Sequence, residues 1–294
     1  MKLTCQSEYG ALQSVFIKKA ADAFIDQETT AREWKSLNFL SEPNDKAAQQ
    51  ESEQFEELLN KNGSEIKFFS KDVSLTMDSI YCRDASIATD KGMIICNMGK
   101  PARKNEPTAA AKVYTELSIP ILGTIKSPGT VEGGDVAWLD PKTLAVGRTY
   151  RTNDEGIRQL REMLELSGVQ VLVVHLPHYK GPSDVFHLMS IFSPVDKDLA
   201  VVYSPLMPIV FREELISRGY GLIEVPDEEF ESMGCNVLAI APRKCMMMKG
   251  NAITKQRILD AGCEVIEYEG QEISYKGGGG PTCLTRPMWR RIDD

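Results

Sequence analysis

The sequence predicts an α/β fold assembled from five similar units, and two observations support this prediction. Short apolar segments alternate with amphipathic segments of helical period along the chain. The order strand, helix, strand returns five times, over residues 12–69, 92–123, 143–174, 199–225 and 244–268. This pattern alone leaves two arrangements open, a doubly wound parallel sheet or a ring of five units around a central cavity.

Each predicted unit opens with an apolar run that is too short for a helix and therefore indicates a buried strand. In chain order these runs are 12–17, 92–97, 143–147, 199–203 and 244–248. The helices that follow carry apolar residues at helical spacing between charged ones, and they are 45–59, 107–117, 154–166, 212–217 and 252–261. A second strand closes each unit, at 66–69, 120–123, 169–174, 221–225 and 263–268. No long low-complexity linker separates the units, so we expect one domain over residues 1–294.

Composition excludes several classes of partner. The chain of 294 residues carries a formal net charge of -8 and has no dense run of Lys or Arg. Nucleic acids and anionic membranes require a basic surface, so neither is expected as a partner. The first residues do not form a signal peptide, and no apolar segment is long enough to cross a bilayer. We therefore expect a cytoplasmic protein, and a homodimer is compatible with the sequence.

The seven cysteines are scattered, odd in number and without a Cys-x-x-Cys pair. This pattern is unlike a disulfide framework or a structural zinc site and indicates free thiols. Cys283 stands out because it follows four glycines and Pro281. Glycines let a backbone approach a ligand closely, so a thiol at this bend is a candidate nucleophile. The alternative is an inert buried cysteine in a turn, because catalysis also needs a base and a positioned electrophile.

Three other segments hold ionisable residues in apolar surroundings. Asp78 and Asp84 flank a predicted extended stretch and, six positions apart, would share one face of a strand; the alternative is two solvent-facing loop residues. Glu132 follows a Pro-Gly turn at the start of a strand, where an acid is either solvated or paired with a cation. His187 lies in an apolar run and is the best-placed general acid/base, although such a histidine is more often a core residue.

Together these segments resemble the guanidino-group-modifying superfamily, most closely its dimethylarginine dimethylaminohydrolases and next its arginine deiminases. The similarity rests on five ordered motifs, which are Asp-Ser-Ile-Tyr-Cys-Arg-Asp at 78–84, Pro-Gly-Thr-Val-Glu-Gly-Gly-Asp at 128–135, Arg-Thr-Asn-Asp-Glu-Gly at 151–156, His-Leu at 187–188 and Gly-Gly-Pro-Thr-Cys at 279–283. The resemblance implies a five-bladed, pseudo-symmetric α/β propeller, the pentein fold, with a central active site. That expectation agrees with the five units in the hydrophobic pattern.

The resemblance also implies a role for each candidate residue. Cys283 would be the nucleophile and His187 the general acid/base, and the anions on the guanidinium side would be Glu132, Asp78 and Asp84. The carboxylate of the substrate would be bound by Arg103 and Arg151. The family needs no metal or other cofactor, so none is expected here.

The physical chemistry of the ligand fits these roles. A guanidinium is planar and permanently charged, so binding it in a dry cavity requires several carboxylates, and an arginine fork suits the carboxylate at the other end of the substrate. The resulting hypothesis is hydrolysis of the guanidinium C–N bond of an arginine derivative. An Nω-methylated arginine would give citrulline and methylamine or dimethylamine through a covalent thiouronium on Cys283.

Other functions remain open at this point. The same residues would serve an arginine deiminase or an amidinotransferase, and a guanidine-binding protein without catalysis is the non-enzymatic alternative. A metallohydrolase would need more histidines than the chain offers. Met189 stands where arginine deiminases have Asp, which leans away from plain arginine as substrate, whereas Arg83 before Asp84 is more deiminase-like.

Overall fold

The computed structural model of the protein describes residues 2–292 and has an α/β fold. Its strands are β1 (Lys2–Thr4), β2 (Ala11–Leu12), β3 (Ser14–Ile17), β4 (Glu65–Phe68), β5 (Ser86–Thr89), β6 (Gly92–Ile95), β7 (Ile121–Thr124), β8 (Val136–Asp140), β9 (Thr143–Arg148), β10 (Gln170–His175), β11 (Phe192–Asp196), β12 (Leu199–Val202), β13 (Gly221–Glu224), β14 (Leu238–Ala241), β15 (Lys244–Met248), β16 (Glu264–Tyr268), β17 (Thr285–Pro287) and β18 (Arg290–Ile292).

The α-helices are α1 (Ala20–Ala23), α2 (Gln27–Glu33), α3 (Asp45–Lys61), α4 (Glu106–Glu116), α5 (Asp154–Glu165), α6 (Ile209–Ser217), α7 (Asp227–Phe230) and α8 (Ala252–Asp260). Short 3-10 turns and one π-helical turn, at Gln271–Tyr275, connect them to the strands. Within the described residues, no helix combines the length and the apolar character needed to cross a membrane.

The described strands form six three-stranded sheets, and five of them share one plan. The middle strand pairs antiparallel with one neighbour and continues through a helical segment into a second, parallel neighbour. These sheets are β17–β3–β4, β5–β6–β7, β8–β9–β10, β11–β12–β13 and β14–β15–β16. The sixth, β1–β18–β2, is antiparallel throughout. The chain therefore does not form a single doubly wound parallel sheet.

The predicted strand–helix–strand units correspond to the middle strand, helix and parallel strand of these five sheets, with boundaries that differ by a few residues. The sequence pattern did not predict the antiparallel strand that completes each sheet. In the first unit that strand is β17, which comes from far along the chain and pairs with β3. A pattern of local periods cannot show such a pairing, because strands distant in sequence leave no local trace of their contact.

Burial explains why the middle strands form where they do. All residues of β3 and of β12 are buried, as expected for strands that are covered on both faces and are nearly continuous in apolar residues. The helices bury one stripe only: in α5 the buried apolar residues are Ile157, Leu160 and Leu164, at helical spacing. Asn153 begins this helix, and its side chain accepts a hydrogen bond from the Gly156 amide at 2.8 Å.

One local prediction was wrong. The segment between Asp78 and Asp84 is not an extended strand but a 3-10 turn, Met77–Ile80, followed by a further turn. The two aspartates therefore do not share a strand face. Tyr81, Arg83 and Asp84 follow the turn closely, and the backbone there bends instead of extending.

The packing of α5 gives a test of the fold. Leu160 is fully buried, so the change Leu160→Ala should lower the free energy of unfolding by about 2–5 kcal/mol, because it removes apolar contact and leaves a cavity. Leu166 is 97% exposed just after the same helix, and Leu166→Ala should change stability by less than about 0.5 kcal/mol. Chemical denaturation of both variants measures the difference, and equal losses would contradict the described orientation of the helix.

Candidate active site

The glycine run before Cys283 crosses directly over a tyrosine ring. A Cβ at Gly277 would lie 1.9 Å from Tyr81 Oη, and one at Gly279 would lie 2.4 Å from Tyr81 Cε1, so neither position accepts a side chain. Two residues beyond Cys283 the chain enters β17, where Thr285 pairs with Ile17. The thiol is thus held between a tightly packed loop and a sheet, with 9% of the residue exposed.

Asn236 contacts the thiol and fixes the backbone beside it. Its Nδ2 lies 3.3 Å from Cys283 Sγ and donates to it. Its Oδ1 accepts hydrogen bonds from the amide of Thr282, at 3.0 Å, and from the Thr282 hydroxyl, at 2.8 Å. The amide of Asn236 is therefore locked in one orientation, with the donor facing the sulfur. The sequence analysis did not single out this residue.

His187 begins the 3-10 turn Leu188–Ser190. Its amide donates to Ser190 Oγ at 3.1 Å, and the following amide, of Leu188, donates to Asp135 Oδ1 at 3.1 Å. The imidazole is buried, and its Nε2 lies 2.9 Å from Glu132 Oε2. Gly134 is required beside the ring, because a Cβ there would lie 2.5 Å from His187 Nδ1.

Glu132 lies behind His187 and has no exposed surface. Its Oε1 accepts a hydrogen bond from the Lys100 amide at 2.9 Å, and Arg151 Nη1 lies 3.6 Å from the same oxygen. The amide of Glu132 donates to Thr152 Oγ1 at 3.1 Å. In this arrangement the carboxylate contacts the imidazole through Oε2, which differs from the predicted position on the guanidinium side.

The two predicted aspartates are each paired with a cation of the chain. Asp78 Oδ2 accepts from Lys100 Nζ at 2.6 Å, and the same ammonium donates to the carbonyl of Leu37 at 2.8 Å. Asp84 Oδ2 accepts from Arg103 Nη1 at 2.5 Å, and its Oδ1 accepts from the Gly134 amide at 2.8 Å. Both carboxylates are more than nine-tenths buried.

Arg103 is held by the protein itself. Its Nε and Nη2 donate to the two carboxylate oxygens of Glu106, at 2.8 and 2.7 Å, and Nη2 also donates to the carbonyl of Tyr81 at 2.8 Å. With the bond to Asp84, four of its five N–H groups are taken. This geometry does not favour the predicted role of Arg103 in binding a substrate carboxylate; it favours a role in positioning Asp84.

A narrow cavity brings most of the predicted residues together. Six of the seven line it, namely Asp78, Asp84, Arg103, Arg151, His187 and Cys283, and only Glu132 does not. Lys100, Tyr81, Val185 and the glycines at 277–279 complete the lining. The thiol, the imidazole, two carboxylates and three cationic side chains therefore face one small space.

A second cavity, of about 160 Å³, adjoins the first and shares Val185, His187 and Cys283 with it. Its walls include Met189, Asn236 and the aromatic residue Phe186, and the segment around Leu37 and Leu40 covers one side. Free space therefore adjoins the thiol and the imidazole on two sides, about 160 Å³ in the second cavity and about 20 Å³ in the first.

The charges around His187 and Glu132 shift both groups toward their ionised forms. Burial by itself lowers the pKa of His187, but Asp135, Asp84 and Glu132 outweigh it and raise the pKa from 6.5 to about 9. Burial raises the pKa of Glu132, but its hydrogen bond to His187 and the charges of His187 and Arg151 lower that pKa to about 2. The pair is thus an imidazolium and a carboxylate at neutral pH.

The Cys283 thiol, in contrast, is shifted toward its neutral form. Burial, and then the negative charge of Asp84, raise the pKa of Cys283, so without a ligand the neutral thiol is favoured at neutral pH. Asp135, which supports the turn that carries His187, has a pKa raised by burial to about 6. Its Oδ2 accepts a hydrogen bond from the Thr149 hydroxyl at 2.7 Å.

Among the described residues, one group of side chains has the spacing of metal ligands. Ligand atoms of Asp84, Glu132 and His187 lie within 4.8 Å of one another. They are already bound to each other and to cations of the chain, since Glu132 contacts His187, and Asp84 contacts Arg103. A metal ion would have to displace these contacts.

Sequence reasoning missed Lys100, Asn236 and Glu106 as parts of the site. Lys100 lies three residues before Arg103, and this closeness to a residue predicted to bind substrate was the only indication that Lys100 belongs to the site. Glu106 lies three residues after Arg103, a spacing that brings side chains together on a helical turn and could have indicated the ion pair. Asn236 stands in an ordinary apolar segment, and nothing in its neighbourhood distinguishes it.

Comparisons with known proteins show which proteins the chain is similar to. A protein of Bacillus subtilis named "Uncharacterized protein YkgA" is 25% identical over 291 residues, which are 98% of this chain and 96% of that protein. The N(G),N(G)-dimethylarginine dimethylaminohydrolase of Pseudomonas aeruginosa is 27% identical over 212 residues, 71% of this chain and 76% of that protein. The arginine deiminase of Mycoplasma capricolum is 29% identical over 199 residues, 55% of this chain but only 47% of the deiminase.

Solved structures have the same fold. A mutant of the Pseudomonas aeruginosa dimethylarginine hydrolase, complexed with citrulline, superimposes with a TM-score of 0.77 at 23% identity and covers 95% of this chain and 100% of its own. The amidinotransferase SxtG from Microseira wollei superimposes with a TM-score of 0.77 at 15% identity and covers 99% and 98%. The sequence model of the family described as N,N dimethylarginine dimethylhydrolase, eukaryotic, matches residues 20–290. The chain therefore belongs to the N,N dimethylarginine dimethylhydrolase family.

Proposed function

We propose that the protein hydrolyses the guanidinium C–N bond of an Nω-methylated arginine, giving citrulline and methylamine or dimethylamine. The observation that carries this proposal is that Cys283 and His187 line the same cavity as Asp78 and Asp84. A related hydrolase was solved as a complex with citrulline, which is the ureido product that this reaction would release. Membership of the family supports the same chemistry.

The proposal includes the architecture that the reaction needs. The five sheets of one plan would be the five blades of an α/β propeller, with β17–β3–β4 closing the ring. Residues 1–294 would form one catalytic domain. In support, five residues of the site each precede a strand of a different sheet. Asp84 precedes β5, Glu132 precedes β8, His187 precedes β11, Asn236 precedes β14 and Cys283 precedes β17.

Substrate binding follows from the charges. Asp78 and Asp84 would accept hydrogen bonds from the guanidinium, and the cavity already holds them in fixed positions through Lys100 and Arg103. Arg151, whose guanidinium lies 3.6 Å from Glu132, would bind the substrate carboxylate. We reassign Arg103 from carboxylate binding to positioning Asp84, because its own donors are mostly taken.

The bound cation would first activate the thiol. A positive charge next to Cys283 lowers the pKa that burial and Asp84 raise, so the thiol releases its proton to solvent as the substrate enters. The Asn236 side chain, which donates to the sulfur at 3.3 Å, would stabilise the thiolate that results. The substrate thereby helps to generate its own nucleophile.

The chemistry then proceeds in two displacements. The thiolate of Cys283 attacks the central carbon of the guanidinium, and the protonated His187 transfers its proton to the departing nitrogen, so that a neutral amine leaves and a cationic thiouronium remains. Water attacks that carbon while the now neutral His187 takes one of its protons. Collapse expels the thiolate and releases the ureido product and one further proton, which balances the proton that the free amine takes up from solvent.

Glu132 would act through His187. Its hydrogen bond at 2.9 Å orients the ring, and its charge helps to keep the imidazole protonated as the acid for the first step. Asp135 would support the same ring from the backbone side, through the amide of Leu188. Both acids are therefore positioning residues in this scheme.

Two positions bear on the choice of substrate. Met189 is buried and lines the second cavity, so position 189 offers a thioether where the resemblance gives arginine deiminases a carboxylate. Arg83, whose identity is deiminase-like, is fully buried and pairs with Glu8 at 2.8 Å, outside both cavities. Arg83 therefore gives little support to an arginine deiminase.

A second candidate function is amidino transfer. The second cavity adjoins Cys283 and His187 and would give an acceptor amine a place from which to attack the thiouronium in place of water. The structural similarity to an amidinotransferase agrees with the shared scaffold.

The nucleophile gives the first functional prediction. Cys283→Ser should lower kcat by roughly 10³-fold or more while the guanidine still binds, because the carboxylates that hold it are unchanged. Steady-state assays and calorimetric titration measure the two quantities. Cys5→Ser is the matched control, since Cys5 is also buried but lies outside both cavities, and it should leave kcat unchanged. Full activity in Cys283→Ser would refute covalent catalysis.

The Glu132–His187 pair predicts a shift in the pH profile. With the pKa of His187 at about 9, the acid form of the imidazole persists to that pH, and kcat should fall above it. Glu132→Gln removes one of the charges that raise this pKa, so the basic limb should move to lower pH by about one unit or more.

An NMR titration of the histidines in both forms measures the same shift without turnover. Glu116→Gln, at an exposed position, is the control and should leave the profile unchanged. A basic limb at the same pH in the wild type and in Glu132→Gln would contradict the proposed coupling.

A panel of guanidines tests the substrate. Mono- and dimethylarginine should yield a ureido product together with methylamine or dimethylamine, at a higher kcat/KM than arginine, agmatine or guanidinoacetate. The two products are measured separately, by a colorimetric ureido assay and by amine analysis. Ammonia from arginine at the highest kcat/KM would instead favour a deiminase. A new guanidine formed when glycine or ornithine is added would favour amidino transfer.

A further inference from the structure

Lys100 brings a positive charge into the narrow cavity, beside an acid that the proposed function assigns to the substrate. The residue lies just before the 3-10 turn Pro101–Arg103, and its amide donates to Glu132 Oε1 at 2.9 Å. Its side chain lines the same cavity as Cys283 and His187. A cationic ligand and this cationic side chain would therefore have to occupy the same small space.

Two acceptors hold the ammonium of Lys100. Its Nζ donates to Asp78 Oδ2 at 2.6 Å and to the carbonyl of Leu37 at 2.8 Å. The side chains of Lys100 and Asp78 are 10% and 5% exposed, so solvent and salt screen their attraction only weakly. Asp78 consequently has its counter-charge before any ligand binds.

The free space is too small for a guanidinium beside these side chains. The narrow cavity measures about 20 Å³, which is room for little more than one water molecule, so a lining side chain must move when a substrate binds. Of the two cations that pair with Asp78 and Asp84, Arg103 is held through four of its five N–H groups. Lys100 is held only at the end of a flexible four-carbon stem. Lys100 is thus the cation that moves more readily.

We propose that Lys100 is an internal competitor of the substrate and so determines how tightly a guanidine binds. Its ammonium holds Asp78 in the free protein, and an incoming guanidinium competes with it for that carboxylate and for the space beside it. Lys100 moves away from Asp78 as the substrate binds, and it takes no part in breaking the C–N bond. The inference rests on the proposed function, because it concerns the binding of the guanidine that Cys283 would attack.

Such a competitor has opposite effects on the free protein and on the complex. In the free protein it neutralises a buried carboxylate, and removing one partner of a buried ion pair is strongly destabilising. In the complex the substrate brings the counter-charge itself. Loss of the Lys100 charge should therefore lower the stability of the free protein and raise its affinity for a cationic ligand. Loss of a side chain with a purely structural role would lower both.

Ligand binding in a Cys283→Ser background gives the first test, because turnover is then blocked. Lys100→Gln keeps a neutral donor for Asp78 and for the Leu37 carbonyl but removes the charge. It should lower the Kd of monomethylarginine by about tenfold or more in calorimetric titration, and it should lower the Tm of the free protein. Lys104→Gln, at an exposed lysine in the following turn, is the matched control and should change neither. A Kd that stays the same or rises in Lys100→Gln would overturn the proposal.

Lys100→Arg keeps the charge and the ion pair that the fold needs, so it decides the question if Lys100→Gln fails to fold. The arginine still competes for Asp78, and the Kd of monomethylarginine should not fall below that of the Cys283→Ser parent. A Kd lowered by about tenfold in Lys100→Arg would contradict the proposal.

Alkylation of the thiol gives a test that needs no turnover. Chloroacetamidine is a cationic reagent and chloroacetamide a neutral one of the same shape, and in both the thiolate displaces chloride. A change in the reactivity of Cys283 itself affects both rates and cancels in their ratio. In Lys100→Gln the ratio of the amidine rate to the amide rate at Cys283, measured by mass spectrometry, should rise by about tenfold.

This ratio separates the inference from the proposed function. An unchanged ratio in Lys100→Gln would overturn the role of Lys100 even if the protein turns over methylarginine. A raised ratio without turnover of any guanidine would support the role of Lys100 and contradict only the proposed function.

Asp78→Asn distinguishes competition for this acid from a general effect of charge. Without a carboxylate at position 78 Lys100 has nothing to compete for, so adding Lys100→Gln to Asp78→Asn should change the ratio of rates by less than about threefold. A gain of the same size in both backgrounds would show that Lys100 acts on the ligand through long-range charge alone, and would refute the assignment.

Discussion

The hydrogen bond between Glu132 and His187 is the contact on which the rest of the site depends. Glu132 has no exposed surface, so its carboxylate must meet a cation or pay a large desolvation cost. The imidazolium meets this need at 2.9 Å, and the same contact fixes the orientation of the ring. The adjacent glycine, Gly134, has to be free of a side chain for the ring to fit. The space beside Gly134 and the charge of Glu132 thus favour the same orientation of the His187 ring.

Around this pair, the other acids of the site form ion pairs with cationic side chains of the protein. Asp78 contacts Lys100, and Asp84 contacts Arg103, which also holds Glu106. Such pairing avoids buried carboxylates without a counter-charge, which would destabilise the fold far more than exposed ion pairs stabilise it. A guanidinium bound as proposed would share these acids with the cations of the chain. Under the proposed function, a flat, forked guanidinium would gain more from these oxygens than a point charge would, because their directions are already set.

Much of the fold and of the site could be predicted from the sequence, for physical reasons that differ between the two. The five strand–helix–strand units follow from local hydrophobic period. The site residues followed from motifs that resemble a family, and six of the seven line one cavity. What failed was local geometry: the stretch from Asp78 to Asp84 contains a short apolar run that indicates an extended segment, but it folds as a 3-10 turn and a further turn. Neither the role of Arg103 as an internal partner nor the contact of Asn236 with the thiol leaves a pattern in the sequence, since both depend on contacts between distant segments.

The pairing of β17 with β3 has a consequence for the protein during its synthesis. The thiol lies just before β17, whose partner β3 is made far earlier, so one edge of β3 stays unpaired until residues 285–287 have left the ribosome. In the proposed mechanism, chains shortened before Cys283 would therefore be inactive, and a nascent chain would become active only after β17 has been made and has paired with β3.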